Sequence, residues 1–120
     1  MSRYVDGYII PIKKNNLKSY KKMAAKGCKL WMEYGALDYY ECVGDDLNVK
    51  WGLTFPKMCK IKKDETIIFA YIVYKSKTHR NQVNAKVVKD PRMKMDMKMP
   101  FDMKRFSMGG FKTIICKSRT

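Results

Sequence analysis

The stretch Thr66-Ile67-Ile68-Phe69-Ala70-Tyr71-Ile72-Val73-Tyr74 constrains this chain more than any other. It is apolar at odd and even positions alike, so a strand formed here has both faces out of water and lies inside a sheet. Strands must flank it on each side, and at least one face needs a helical layer.

The rest of the sequence supplies these parts. Tyr4 to Ile12 alternates as a first strand, with Tyr4, Asp6, Tyr8 and Ile10 on one side and Val5, Gly7, Ile9 and Pro11 on the other. Lys13-Lys14-Asn15-Asn16 ends it, and Asn15 or Asn16 suits a helix cap. Leu17, Tyr20, Met23, Ala24, Gly27, Leu30, Trp31 and Tyr34 then recur at three- and four-residue spacing, and Gly35 supplies the stop. Leu37 to Val43 reads as a second strand running into the turn Gly44-Asp45-Asp46. Residues 47–63 stay open between an irregular extension and a bulged strand, since Trp51, Leu53 and Phe55 alternate around Gly52 and Pro56.

After the central strand, Ser76 or Thr78 caps a second helix carrying Arg80, Val83, Asn84, Val87 and Val88, which Asp90-Pro91 ends. Met97, Met99, Phe101 and Met103 alternate within Met93 to Met103, a pattern that suits a flexible apolar flap. Gly109-Gly110 opens a last strand, expected over Phe111 to Cys116. The order is βαββαβ: a single α+β, ferredoxin-like domain over residues 1–120, with an antiparallel sheet and both helices on one face. Its other sheet face is apolar and bare. A second copy of the chain is the economical cover, which gives a homodimer whose two sheets face each other as an α/β barrel.

Charge narrows the partners. Lys and Arg number 26 against 11 Asp and Glu, a formal charge of +15 that attracts anionic surfaces. Lysine dominates, however, and specific phosphate or base reading leans on arginine's bidentate fork, so nucleic acid is not the expected partner. No apolar run spans a bilayer and no export signal opens the chain, so a cytoplasmic protein without a membrane partner is expected. Cys28, Cys42, Cys59 and Cys116 are scattered and His79 stands alone, which argues for reduced thiols and no metal site, with Cys28 and Cys42 acting as small hydrophobes. No Gly-rich phosphate loop or nucleophile-histidine pair calls for a cofactor.

Several motifs occur in a fixed order: Tyr4-Val5-Asp6-Gly7-Tyr8, Glu33-Tyr34-Gly35-Ala36-Leu37, Asp90-Pro91-Arg92-Met93, Pro100-Phe101-Asp102 and Gly109-Gly110-Phe111. In this combination the chain resembles the YbaA-like family of uncharacterised bacterial proteins, the domain of unknown function 1428. The resemblance implies a dimeric α/β barrel of ferredoxin-like halves, in a superfamily that also holds small cofactor-free monooxygenases. Met103 stands where the family usually has glycine, and relatives look mildly acidic where this chain is rich in lysine.

Asp6 and Tyr8 share one face of the first strand, and Glu41 sits on a partner strand, so all three are expected in one barrel cavity. A buried carboxylate needs a partner or a task. Asp6 or Glu41 would be a base or acceptor in a pocket lined by Tyr8, Tyr39, Tyr71 and Phe101, with Arg80, Arg92 and Arg105 as counter-ions. An ion pair that only fixes geometry accounts for the same residues. Arg80 and Asn84, four apart, would hold an anionic group or tether the turn at Arg92. Phe101 and Asp102, with the glycines at 109 and 110, would form a lid. The expected function is therefore the binding of a small, partly apolar ligand. A cofactor-independent monooxygenase or isomerase using Asp6 and Glu41, and an RNA- or anion-binding protein using its lysines, are the competing readings.

Overall fold

A computed structural model describes residues 2–93 and 98–119 of the chain. Four strands, β1 (Tyr4–Lys13), β2 (Asp38–Val43), β3 (Glu65–Tyr74) and β4 (Ser107–Lys112), form one antiparallel sheet in the order β2-β3-β1-β4. The fold is ferredoxin-like and of the α+β class. As its unbroken apolar run requires, β3 is central, flanked by β1 and β2. Helices α1 (Leu17–Glu33) and α3 (Lys77–Lys89) follow β1 and β3, and a short α2 (Phe55–Cys59) precedes β3.

Register assigns each side chain to a face, because partners on paired strands point the same way. Asp6 pairs with Ile72, Tyr8 with Ala70 and Ile10 with Ile68, and these residues look toward the helices. There they meet Tyr20, Ala24 and Leu30 of α1 and Val83 and Val87 of α3, all buried. The opposite parity carries Val5, Gly7, Ile9, Tyr40, Phe69, Tyr71, Val73 and Phe111. No long helix among the described residues covers them, and Tyr40, Phe69 and Phe111 are 50%, 49% and 63% exposed. Tyr40 stacks on Tyr71 at 5.0 Å between ring centroids, and Phe69 lies 5.9 Å from Tyr71.

Four local expectations need correction. The last strand is Ser107–Lys112 and not Phe111 to Cys116: Gly109 and Gly110 lie within it, paired with Gly7 and Asp6. Residues 47–63 hold neither a simple extension nor a strand but α2, whose N-cap Thr54 accepts from the Lys57 N–H at 3.4 Å. Asn16 is the N-cap of α1 without a side-chain cap bond, and its amide donates to the Pro100 carbonyl at 3.0 Å instead. Cys42 is exposed on the uncovered face and does not serve as a core hydrophobe. Ser76 caps α3 as its position suggests, its hydroxyl accepting from the His79 N–H at 3.1 Å. Part of the methionine-rich flap, including Met97, lies outside the described residues. No helix among the described residues is long and apolar enough to cross a membrane.

Candidate functional site

Between α1 and the helix-facing side of the sheet lies a cavity of about 200 Å³. Its floor comes from β1 and β3, through Tyr8, Ile10, Ala70 and Ile72. One wall is the apolar stripe of α1, where Gly27 permits a close approach: a Cβ there would stand 3.3 Å from the Tyr39 hydroxyl. Phe101 and Phe106 close another side, stacked at 5.7 Å with 17° between their planes. The segment bearing these rings is fastened at both ends, by the Asn16–Pro100 bond and by Arg105. Arg105 donates to both Glu65 oxygens, at 2.6 and 3.0 Å, and to the Cys59 and Lys60 carbonyls, each at 3.3 Å.

The polar part of the wall is an arc of two phenols on one carboxylate. Tyr20 donates to Glu41 Oε1 and Tyr39 to Oε2, each at 2.7 Å. Burial and the adjacent Glu41 push both phenol pKa values above the ordinary tyrosine range. Both hydroxyls therefore stay protonated donors to a charged acceptor, the stronger kind of hydrogen bond. Tyr8, two residues from Asp6 on the same face, projects into the cavity with no hydrogen-bond partner among the described residues. Its pKa is raised first by burial, then by the charges of Asp6 and Glu41. Tyr20, Ala24, Tyr39 and Glu41 also line a second, more open depression of about 460 Å³. The arc thus divides two spaces along α1.

Asp6 lies beside this cavity but does not line it. It is 0% exposed, and Arg80 Nε stands 3.3 Å from Oδ1. Neither carboxylate oxygen makes a hydrogen bond of good geometry. Burial raises the Asp6 pKa, while Arg80 and then the Asn84 amide draw it partly back. Asn84 is oriented by its carbonyl oxygen, which accepts from Trp31 Nε1 at 2.9 Å and the Tyr74 hydroxyl at 3.2 Å. With that oxygen occupied, its NH₂ is the end that acts on Asp6. Arg80 also bonds Tyr4 at 3.2 Å, and its guanidinium carbon lies 5.0 Å from the centre of the Tyr4 ring.

The residues singled out in the sequence therefore divide among separate places. Tyr8, Tyr39, Glu41, Arg92 and Phe101 share the cavity wall. Asp6, Arg80 and Asn84 form a neighbouring buried cluster, and Arg80 and Asn84 do not tether the turn at Arg92. Tyr71 belongs to the opposite sheet face and not to the pocket, since it pairs with Gly7 and Tyr40. Arg105 serves Glu65, and exposed Asp102 caps its own turn by accepting from the Lys104 N–H at 2.9 Å. Arg92 is engaged by Asp90 and Glu33, at 2.8 and 2.7 Å. Glycines 109 and 110 are strand residues and no part of the lid. The cavity lies within one chain, on the helix side of the sheet, and not between two sheets. Tyr20 escaped the sequence reading as a site residue; its signal was a hydroxyl on the apolar face of α1, where a core position favours leucine. Among the described residues no group of three or more His, Cys, Asp and Glu could hold a metal ion.

The family model described as "Protein of unknown function (DUF1428)" matches residues 3–103. The uncharacterized protein YbaA of Escherichia coli K12 is 39% identical over 114 residues, which cover 94% of this chain and 97% of the relative. The Shigella flexneri protein of the same name matches at the same 39% over 114 residues. Among solved structures, the de novo designed protein Foldit4 is similar at a TM-score of 0.44 and 8% identity, covering 97% of this chain and 100% of that one.

Proposed function

The chain belongs to the DUF1428 family, whose name records no activity, and from its own geometry we propose that it binds a small, partly apolar molecule between α1 and the sheet. One observation carries this reading: a cavity of about 200 Å³ with apolar floor and walls holds the Tyr8 hydroxyl, without a hydrogen-bond partner among the described residues, and the Tyr20–Glu41–Tyr39 arc. Apolar cavities of roughly 150 Å³ accept a benzene-sized guest. A few converging polar groups on apolar walls are the usual make-up of a ligand site. Glu41, open to both depressions, is the carboxylate placed to meet a ligand. Sealed Asp6 is placed to hold structure, which weakens the enzyme reading that needs both as an acid-base pair.

The working form is a homodimer joined through the uncovered sheet face. Support comes from charge: along Val5–Pro11, Asp38–Cys42, Ile67–Val73 and Ser107–Phe111 that face carries no lysine or arginine, and its strand cation, Lys13, stands at the end of β1 opposite Glu65, in a chain with 26 Lys and Arg. A face whose strand cation lies only at its border is unsuited to nucleic acid or anionic lipid and suited to an apolar copy of itself. Native mass spectrometry of the protein purified from its own host tests both parts. A dimer mass with a small retained ligand is expected. A bare monomer at micromolar concentration, with no small aromatic molecule binding in a ligand-observed NMR screen, overturns both.

A further inference from the structure

The hydrogen-bonding valence of the cavity is lopsided, and it specifies the chemistry of the guest. A carboxylate offers about four lone-pair sites, and Glu41 spends one per oxygen on Tyr20 and Tyr39. Both phenol protons are thereby used, so these hydroxyls face the cavity as acceptors. Among the uncharged groups of the described lining, Tyr8 is the one whose proton has no partner among the described residues. Acceptors outnumber donors, and although Glu41 is exposed, a guest seated against it strips water from its remaining lone pairs and must replace those bonds with protons of its own. Cations on the wall do not reverse this. Arg92 already lies between Asp90 and Glu33, and Lys26 is an exposed side chain on α1. An anionic guest would meet the charge of Glu41 with no dedicated guanidinium. The walls set the shape: Phe101 and Phe106 are stacked, and Trp31 and Tyr39 lie with ring centroids 6.4 Å apart across the cavity lining.

We propose that the cavity selects a neutral aromatic molecule bearing a hydroxyl or amino donor, which it gives to Glu41, and that it disfavours carboxylates and phosphates despite the basic charge of the chain. This rests on the small-ligand reading above and narrows it. The test is titration of the full chain with phenol, aniline, toluene and benzoate as probes, read by protein-observed NMR at the Tyr8, Tyr20 and Tyr39 signals. Phenol and aniline are expected to bind about tenfold tighter than toluene, the worth of one hydrogen bond to a charged acceptor. Benzoate is expected to bind more weakly than toluene. In Glu41→Gln the phenol-to-toluene ratio should fall; its folding is checked by a cooperative melting transition and a dispersed NMR spectrum, since the change takes one acceptor from Tyr20 or Tyr39 and lowers the melting temperature. Benzoate binding as tightly as phenol, or a ratio unmoved by Glu41→Gln, overturns the donor selectivity while leaving a small-molecule site. Absence of binding by every probe, toluene included, instead sinks the small-ligand reading itself.

Discussion

Replacing Arg80 with methionine removes a charge while keeping much of the apolar stem, and it isolates the burial of Asp6. The carboxylate would then sit at 0% exposure with no cation nearby and no well-formed hydrogen bond. Removing one partner of a buried pair costs about 3–5 kcal/mol. The carboxyl has an escape, because it can take up a proton. From an ordinary pKa of 3.8, holding it neutral at pH 7 costs about 4 kcal/mol, which caps the loss. At pH 4 the same neutralisation is nearly free, so the loss should shrink below about 1 kcal/mol. The sign follows from linkage. A carboxyl whose folded pKa lies above its unfolded one binds protons better when native, so stability is complete below pH 3.8 and declines as pH rises through the raised value. Urea unfolding of wild type and Arg80→Met at pH 4, 5.5 and 7 reads the difference directly. Asp6→Asn should be far milder, since Arg80 is 23% exposed and can turn to water. A loss for Arg80→Met that is the same at pH 4 and pH 7, or absent at both, refutes the reasoning.

Other consequences are as concrete. Phe111→Glu puts a charge on the uncovered face; under the homodimer proposed above, sedimentation at micromolar concentration should show wild type as dimer and this variant as monomer. Arg105→Ala unties Glu65 and the carbonyls after α2; a loss of about 2 kcal/mol is expected, with faster amide exchange in residues 55–61. Asp90 is held well below the usual carboxylate range by hydrogen bonds from Arg92 and Tyr34, so its contribution is present above pH 3.8 and disappears as acid protonates it. Asp90→Asn should therefore flatten the acid limb of a stability-against-pH profile measured from pH 2 to 6.

The sheet was legible because period and parity are properties of sequence. Two-sided burial put Thr66 to Tyr74 at its centre, and alternation put Asp6 and Tyr8 on one face. Parity also carried what was missed. Once Gly7 opposes Tyr71, that ring cannot share a pocket with Tyr8, but the pairing that decides this is a tertiary fact. Gly109 and Gly110 read as a break because glycine is a weak strand former; at Gly110 the choice is steric, because Tyr4 and Arg80 occupy the space a side chain would need, whereas a Cβ at Gly109 would meet Phe111 only in ordinary contact. The α2 helix escaped because five residues are too few to show a period. The Tyr20–Glu41–Tyr39 arc joins two elements through side-chain reach alone, which no spacing rule along the chain reports.

Gly110 has a further meaning. A methyl group there would stand 2.6 Å from Arg80 Nη2 and 2.8 Å from Tyr4 Cε2, so the bare position on β4 and the cation from α3 occupy one volume in turn. The acid at 6, the base at 80, the ring at 4 and the empty site at 110 form a single packing unit. A homologue that abandons the arginine should be released from the acid as well, and free to carry a side chain where this protein has none.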